Sequence, residues 1–247
     1  MQQRLPSLYQ TPIMFAHRGA SAHALENTLD AFQLALKLGA TGLETDCWVT
    51  QDRQVVLDHD GVVKPTTKKF GVPIRLRKQK ISQLKFDDLP SDIPKLESLV
   101  EIAADQYPMS IDVCDPDAIR LIADIVTDPS VQQRLYLCHP DIALLRDSKQ
   151  KYPNFKFVNS IRLSRISEGP ERRCANLAQY GIDVLNMHHT DWNGGLVALA
   201  HRFKIAAFSW DLQHTEQLRD AFLMGVDAVY SDWSDRMVDA YNQIFTS

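Results

Sequence analysis

Short apolar runs alternate along the whole chain with longer segments in which apolar residues recur every three or four positions. The runs are rich in branched or aromatic residues. They fall at Ile13 to Ala16, Thr41 to Val49, Met109 to Cys114, Leu135 to Cys138, Lys156 to Val158, Ile182 to Met187, Ile205 to Trp210 and Val226 to Ser231, and read as eight strands. Helix-period stretches lie between most of them. In "TLDAFQLALKLG", Asn27 and Asp30 stand like a cap pair and Gly39 like a stop. Eight strand and helix repeats predict an α/β fold, a (β/α)8 TIM barrel. An open doubly wound sheet is the arrangement that periodicity leaves open beside it.

The gap between the second and third strands is long. It holds an extra strand, "QVVLDHD", then a segment from Val62 to Phe86 with eight Lys or Arg and no acid, then the helix-like "IPKLESLVEIAA". The pattern therefore predicts one domain over residues 1–247 with a small insertion at about 55–90. The basic segment has two readings: a solvated loop, or a cover that draws an anionic substrate or a lipid headgroup by peripheral membrane contact.

Composition narrows the classes. Hydrophobic residues make up 45% of the 247 positions, enough for a large core, and the net charge of −4 gives no basic footprint for nucleic acid. The start, "MQQRLPSLYQTPIMF", lacks the apolar region of a signal peptide, and no later run approaches the length of a membrane span. Cys47, Cys114, Cys138 and Cys174 are widely spaced, as free thiols would be. Together these favour a cytoplasmic protein with no transmembrane segment.

Candidate chemistry begins in "GLETDCWVT". Side chains alternate along a strand, so Glu44 and Asp46 share one face while Leu43, Cys47 and Val49 share the other. If the apolar face packs on helices, the two acids point into the barrel and need a cation; oxygen ligands favour a hard ion, Mg²⁺ or Ca²⁺. A half-exposed strand with solvated acids is the plainer alternative. His17, followed by Arg18 and Gly19, closes the first strand where a barrel delivers residues to its reactive face. His59 ends the extra strand and can approach the same mouth. Two imidazoles flanking an anion can serve as acid and base near neutral pH, and Arg18 can fork onto phosphate.

The residues "HRG" at 17–19, "ENT" at 26–28, "ETD" at 44–46 and "HD" at 59–60 resemble, in order and spacing, the signature of the glycerophosphodiester phosphodiesterase family. The similarity continues through "IPKLESLVE", "SIDV", "FSWDL" and "GVDAVYSDWSD", over nearly the whole chain. The resemblance implies a TIM barrel, His17 and His59 as the catalytic acid/base pair, Arg18 on phosphate, and Glu44 and Asp46 as metal ligands. It implies a third ligand at Asp112, where the family usually has a glutamate longer by one carbon, about 1.5 Å. Cys114 stands where the family usually has a lysine, and Leu25 replaces the proline before "ENT". Trp210 matches a family tryptophan that can wall the substrate pocket. His139, His188 and His189 follow the fourth and sixth strands, at the expected reactive face, with His189 taken as a substrate-pocket residue.

The function implied is metal-dependent hydrolysis of a small-molecule glycerophosphodiester to glycerol phosphate and an alcohol. Two alternatives stand beside it: a lysophospholipase D-like phosphodiesterase acting on longer-chain lipids, and a catalytically weakened phosphate-ester binding protein that lacks the charge missing at Cys114. No motif fixes the alcohol, the ion or the oligomeric state.

Overall fold

A computed structural model of the chain describes residues 4–64, 66–69, 72–75, 77–103 and 106–246, with the side chains of 66–69 and 72–75 outside the description. Its strands are β1 (Ile13–Ala16), β2 (Gly42–Val49), β3 (Val55–Leu57), β4 (Val62–Val63), β5 (Thr66–Lys69), β6 (Val72–Arg75), β7 (Gln79–Lys80), β8 (Met109–Val113), β9 (Leu135–His139), β10 (Lys156–Ser160), β11 (Val184–His188), β12 (Ala206–Trp210) and β13 (Ala228–Ser231). Eight of these pair in parallel in the circular order β1, β2, β8, β9, β10, β11, β12, β13, and β13 pairs back to β1. The sheet is a closed (β/α)8 barrel, not an open doubly wound sheet. Each of the eight runs read from the pattern is a barrel strand, with ends displaced by at most two residues.

Helices α1 (Leu29–Lys37), α2 (Leu96–Ala103), α3 (Ala118–Ile125), α4 (Pro129–Gln132), α5 (Ile142–Lys151), α6 (Pro170–Gln179), α7 (Gly194–Arg202), α8 (Thr215–Met224) and α9 (Ser234–Phe245) fill the crossovers. Among the described residues, no helix is long and apolar enough to cross a membrane. Between β2 and β8, β3 runs antiparallel to the end of β2, and β4 with β7 and β5 with β6 make two short ladders. The basic cover expected over 62–86 falls partly outside the described residues, since the side chains of Lys68, Lys69 and Arg75 are among those not described.

Two-residue alternation sorts each strand into an outer and an inner face. Met14, Ala16, Leu43, Cys47 and Leu137 belong to the large core between sheet and helices. Phe15, Tyr136, Phe208 and Tyr230 fill the barrel interior with Cys138, Val158, Val184, Ala206 and Ala228. Phe15 and Tyr230 stack at 4.9 Å between ring centroids, and Tyr9 packs edge-on to Phe208 at 6.0 Å. Gly42 must lack a side chain, because a Cβ there would sit 2.6 Å from the Phe15 ring. Burying aromatic rings of this size contributes on the order of 2–3 kcal/mol each, and it seals the lower half of the barrel. The next inward positions up each strand are therefore the first ones free to be polar. The four cysteines are free thiols, with Cys47, Cys138 and Cys174 buried and Cys114 partly exposed.

One expectation about a helix start is corrected. The cap of α1 is Thr28, whose hydroxyl accepts from the Ala31 amide, while Asn27 sits one residue earlier at φ 55° with its side chain buried. Asn27 is bound instead by the barrel: Thr45 Oγ1 donates to its Oδ1 at 2.7 Å, and its Nδ2 donates to Asp46 Oδ2 at 3.4 Å. Buried partners outcompete a helix amide that Thr28 already satisfies. The turn after β1 is tightly constrained, with Arg18 at φ 55° and Gly19 at φ 80°.

A Cβ at Gly19 would come within 2.7 Å of the Ala31 carbonyl carbon, in a region of φ that disfavours it. Gly19→Ala is expected to lower unfolding stability by about 2 kcal/mol or more, from strain and overpacking together. Denaturant unfolding of the two proteins measures it.

Candidate active site

The polar layer lies at the C-terminal mouth of the barrel. A cavity of about 430 Å³ there is lined on one arc by His17, Arg18, Glu44, Asp46, His59 and Asp112, and on the other by Ser160, Asn186, Trp210 and Asp211. A larger hollow of about 660 Å³ beside α1, lined by Leu25, Leu29, Phe86 and Ile93 among others, has no such convergence of ionisable groups. Chemistry, not volume, identifies the candidate site.

Strand register assembles the acids. Asp46 and Asp112 are direct neighbours across β2 and β8, and Glu44 lies two residues below Asp46 on the same inward face. One carboxylate oxygen from each falls within 4.8 Å of the others. The shorter Asp112 thus still reaches the cluster. Burial first, and the charges of Asp46 and Asp112 next, hold Glu44 well above the usual carboxylate range; His17 and the Arg18 amide pull it back only in part. Asp112 is raised by burial and by Asp46 in the same way. Three carboxylates converging here, with Glu44 and Asp46 buried and Asp112 partly so, suit a hard divalent cation, which oxygen ligands select.

The turn after β1 binds to this cluster through its backbone and its side chain. The Arg18 amide donates to Glu44 Oε2 at 2.9 Å, and the guanidinium lies 3.3 Å from Asp46 and 3.0 Å from Glu26. His17 Nε2 stands 3.9 Å from Glu44, while its Nδ1 pairs with Asp232 Oδ1 at 2.6 Å. Burial alone would lower the His17 pKa, but the Glu44 charge and the Asp232 hydrogen bond outweigh it and raise it to about 9. Asp232 responds in the opposite sense: burial would raise its carboxyl, yet the bond to His17 holds it below the usual range. His59 reaches the cavity from beyond β3, with Nδ1 2.9 Å from Asp60 Oδ1.

The structure brings His17, Arg18, Glu44, Asp46, His59, Asp112 and Trp210 to one cavity. It does not bring His189 there. His188 takes the inward position at the end of β11, and the chain then turns at His189, whose ring lies 4.5 Å from that of His188 and whose Nε2 is 3.3 Å from Gln217 Nε2 on α8. His139 is likewise outside the lining and accepts from the Asp141 amide. Arg162 is committed elsewhere, donating to both oxygens of Asp191 at 2.6 and 3.1 Å, so it does not replace the charge absent at Cys114. Burial and the nearby acids raise the Cys114 thiol to about 12, which keeps it neutral.

Sequence reasoning missed Asp232, Asn186 and Ser160. Each could have been found by extending the inward parity of its strand, from Tyr230 to Asp232, from Val184 to Asn186, and from Val158 to Ser160.

The profile of the glycerophosphoryl diester phosphodiesterase family matches residues 17–236. A glycerophosphodiester phosphodiesterase of Caldanaerobacter subterraneus subsp. tengcongensis is 23% identical over 239 residues, covering 92% of this chain and 96% of that protein. A human lysophospholipase D is 44% identical over 82 residues, which is 33% of this chain and 24% of that protein. In solved structures, an Oleispira antarctica phosphodiesterase in complex with the product sn-glycerol-3-phosphate has the same fold, with a TM-score of 0.77 at 18% identity, covering 94% of this chain and 97% of that one.

The raised groups set a pH dependence for the ion-free protein. Glu44 and Asp112 ionise in the unfolded chain before they do in the fold, so their cost grows as pH rises past the ordinary carboxylate range. The stabilisation from protonated His17 is complete below pH 6.5 and lost as pH rises through about 9. Both act in one direction. In chelator, the melting temperature is expected to fall between pH 6 and pH 9, and a divalent salt is expected to restore it most at the alkaline end. Asp232→Asn is expected to move the His17 titration to lower pH, read from its ring-proton shifts by NMR.

Proposed function

This chain belongs to the glycerophosphoryl diester phosphodiesterase family, and from that premise we propose that His17 and His59 carry the two proton transfers of glycerophosphodiester hydrolysis at the barrel mouth. The observation that carries this reading is the convergence of both imidazoles, Arg18 and three carboxylates on one cavity. A phosphate-ester binding protein needs no such pair, and the family is one of phosphodiesterases.

Glu44, Asp46 and Asp112 would hold Mg²⁺ or Ca²⁺, which when bound supplies charge neutralisation to a non-bridging phosphoryl oxygen. Arg18 is oriented by Asp46 and Glu26 and presents its remaining N–H groups to the phosphoryl group. One histidine, neutral, takes the proton of the attacking hydroxyl as its oxygen bonds to phosphorus. The other, protonated, gives its proton to the leaving alcohol oxygen as the P–O bond breaks. The attacker is water or the adjacent glycerol hydroxyl, which yields a cyclic phosphate that water then opens. Asp232 acts through His17 as a positioning residue, fixing the ring and favouring its protonated form. Trp210 walls the side of the cavity where the leaving group or glycerol lies.

A lysophospholipase D-like reaction is the second reading. It is supported by the partial match to the human lysophospholipase D and by the hollow beside α1, where Leu25, itself 63% exposed, Leu29, Phe86 and Ile93 stand among polar residues such as Asp30, Asp92 and Lys95. The apolar side chains suit an acyl chain. The reading of residues 1–247 as one barrel domain with an insertion at about 55–90 rests on the extent of the family match, and a cytoplasmic location on the free thiols.

His17→Ala and His59→Ala are each expected to lower kcat by about 10²–10⁴-fold with circular dichroism unchanged. Full turnover in either variant would remove that residue from the chemistry. Hydrolysis of glycerophosphocholine to glycerol phosphate and choline, and of lysophosphatidylcholine to lysophosphatidate and choline, assayed side by side, separates the two substrate readings. Chelator is expected to abolish either activity, with Mg²⁺ or Ca²⁺ restoring it. Cys114→Lys is expected to raise kcat several-fold, because a cation beside the acids would then face the phosphoryl group.

A further inference from the structure

The arc of the mouth facing the carboxylates carries a second group of potential ligands. His188 occupies the inward position at the top of β11, His189 follows it, and Asp211 follows Trp210 at the top of β12. One ligand atom from each lies within 4.8 Å of the other two. In the barrel order β11 lies four places from β2, and β12 four places from β8, so the strands that end in the two groups stand on opposite sides of the barrel. Asp211 lines that cavity, at φ 64°.

We propose that His188, His189 and Asp211 form a second divalent-ion site, for a borderline transition ion of the zinc class, on the rim opposite the carboxylates. Two imidazoles and one carboxylate favour such ions over Mg²⁺ or Ca²⁺, which prefer oxygen ligands alone. The spacing suits it. His188 Nε2 and Asp211 Oδ2 are 3.0 Å apart, and a tetrahedral ion with bonds of about 2.0–2.2 Å places its ligands roughly 3.3 Å apart, so replacing the bridging proton needs only a small widening. Thr190 holds the His188 ring at its other nitrogen, its Oγ1 2.7 Å from Nδ1 and its amide donating to Nδ1 at 3.2 Å. The Gln217 side chain, held by the amides of Gln213 and His214, meets His189. The nearby Arg162 charge is offset by its pairing with Asp191.

The test uses metal-stripped protein titrated with Co²⁺ and Ca²⁺ in a non-thiol reductant. In Glu44→Gln/Asp112→Asn, one equivalent of Co²⁺ is expected to remain, with visible d–d absorption, while Ca²⁺ binding is lost. Adding His188→Ala and His189→Ala is expected to weaken that Co²⁺ about 100-fold or more, since losing even an outer hydrogen-bond partner costs about 10–100-fold. No retained equivalent, unchanged affinity after the histidine changes, or a near-ultraviolet thiolate band would each overturn the site. If a combined variant is unfolded by circular dichroism, His189→Gln in the otherwise wild-type chain decides: stoichiometry falling from two ions to one supports the proposal, and unchanged stoichiometry overturns it. Neither arm depends on turnover, so a failure here is distinct from a failure of the hydrolase reading.

Discussion

Glu44, Asp46 and Asp112 are forced together where water is largely excluded, and most of the mouth is arranged around that repulsion. Each carboxylate taken singly would cost several kcal/mol to bury in ionised form without compensation. The compensation comes from several elements at once. The Arg18 amide and guanidinium reach Glu44 and Asp46, Asn27 reaches Asp46, and the His17 charge sits beside Glu44. Even so burial and the charges of neighbouring acids hold Glu44 and Asp112 above the usual carboxylate range.

The same repulsion explains the backbone of the first crossover. To present one amide and one side chain to two acids, the chain after β1 takes left-handed conformations at Arg18 and Gly19, and again at Asn27. Strained residues of this kind persist where their surroundings over-determine them. Here Gly19 is pressed against Ala31, and Asn27 is held between Thr45 and Asp46. The "ENT" segment is thus a support for the acid cluster as much as a helix start. Asp232 completes the arrangement from the far end of the chain, linking β13 to His17 and so closing the reactive layer where the barrel itself closes.

Below this layer Phe15, Tyr136, Phe208 and Tyr230 fill the interior, each at most 7% exposed. Chemistry is confined to the upper positions, and the two arcs of the mouth differ in character. Carboxylates dominate on β2 and β8, imidazoles and indole on β11 and β12.

The strands, their inward and outward faces, and the identity of the acids were legible in the chain itself, because a period of two residues depends only on local backbone geometry. The family signature was legible for the same reason: "HRG", "ENT", "ETD" and "HD" lie close in sequence. Closure of the sheet was not fixed by periodicity, since an open sheet has the same alternation; the pairing of β13 with β1 decided it. Nor could local pattern tell that Asn27 serves Asp46 and not a helix amide, that Asp232 reaches His17 across 215 residues, or that His189 meets Gln217 on α8 outside the cavity. Those outcomes turn on which buried polar groups meet from distant parts of the chain, and only the folded barrel brings them within hydrogen-bonding distance.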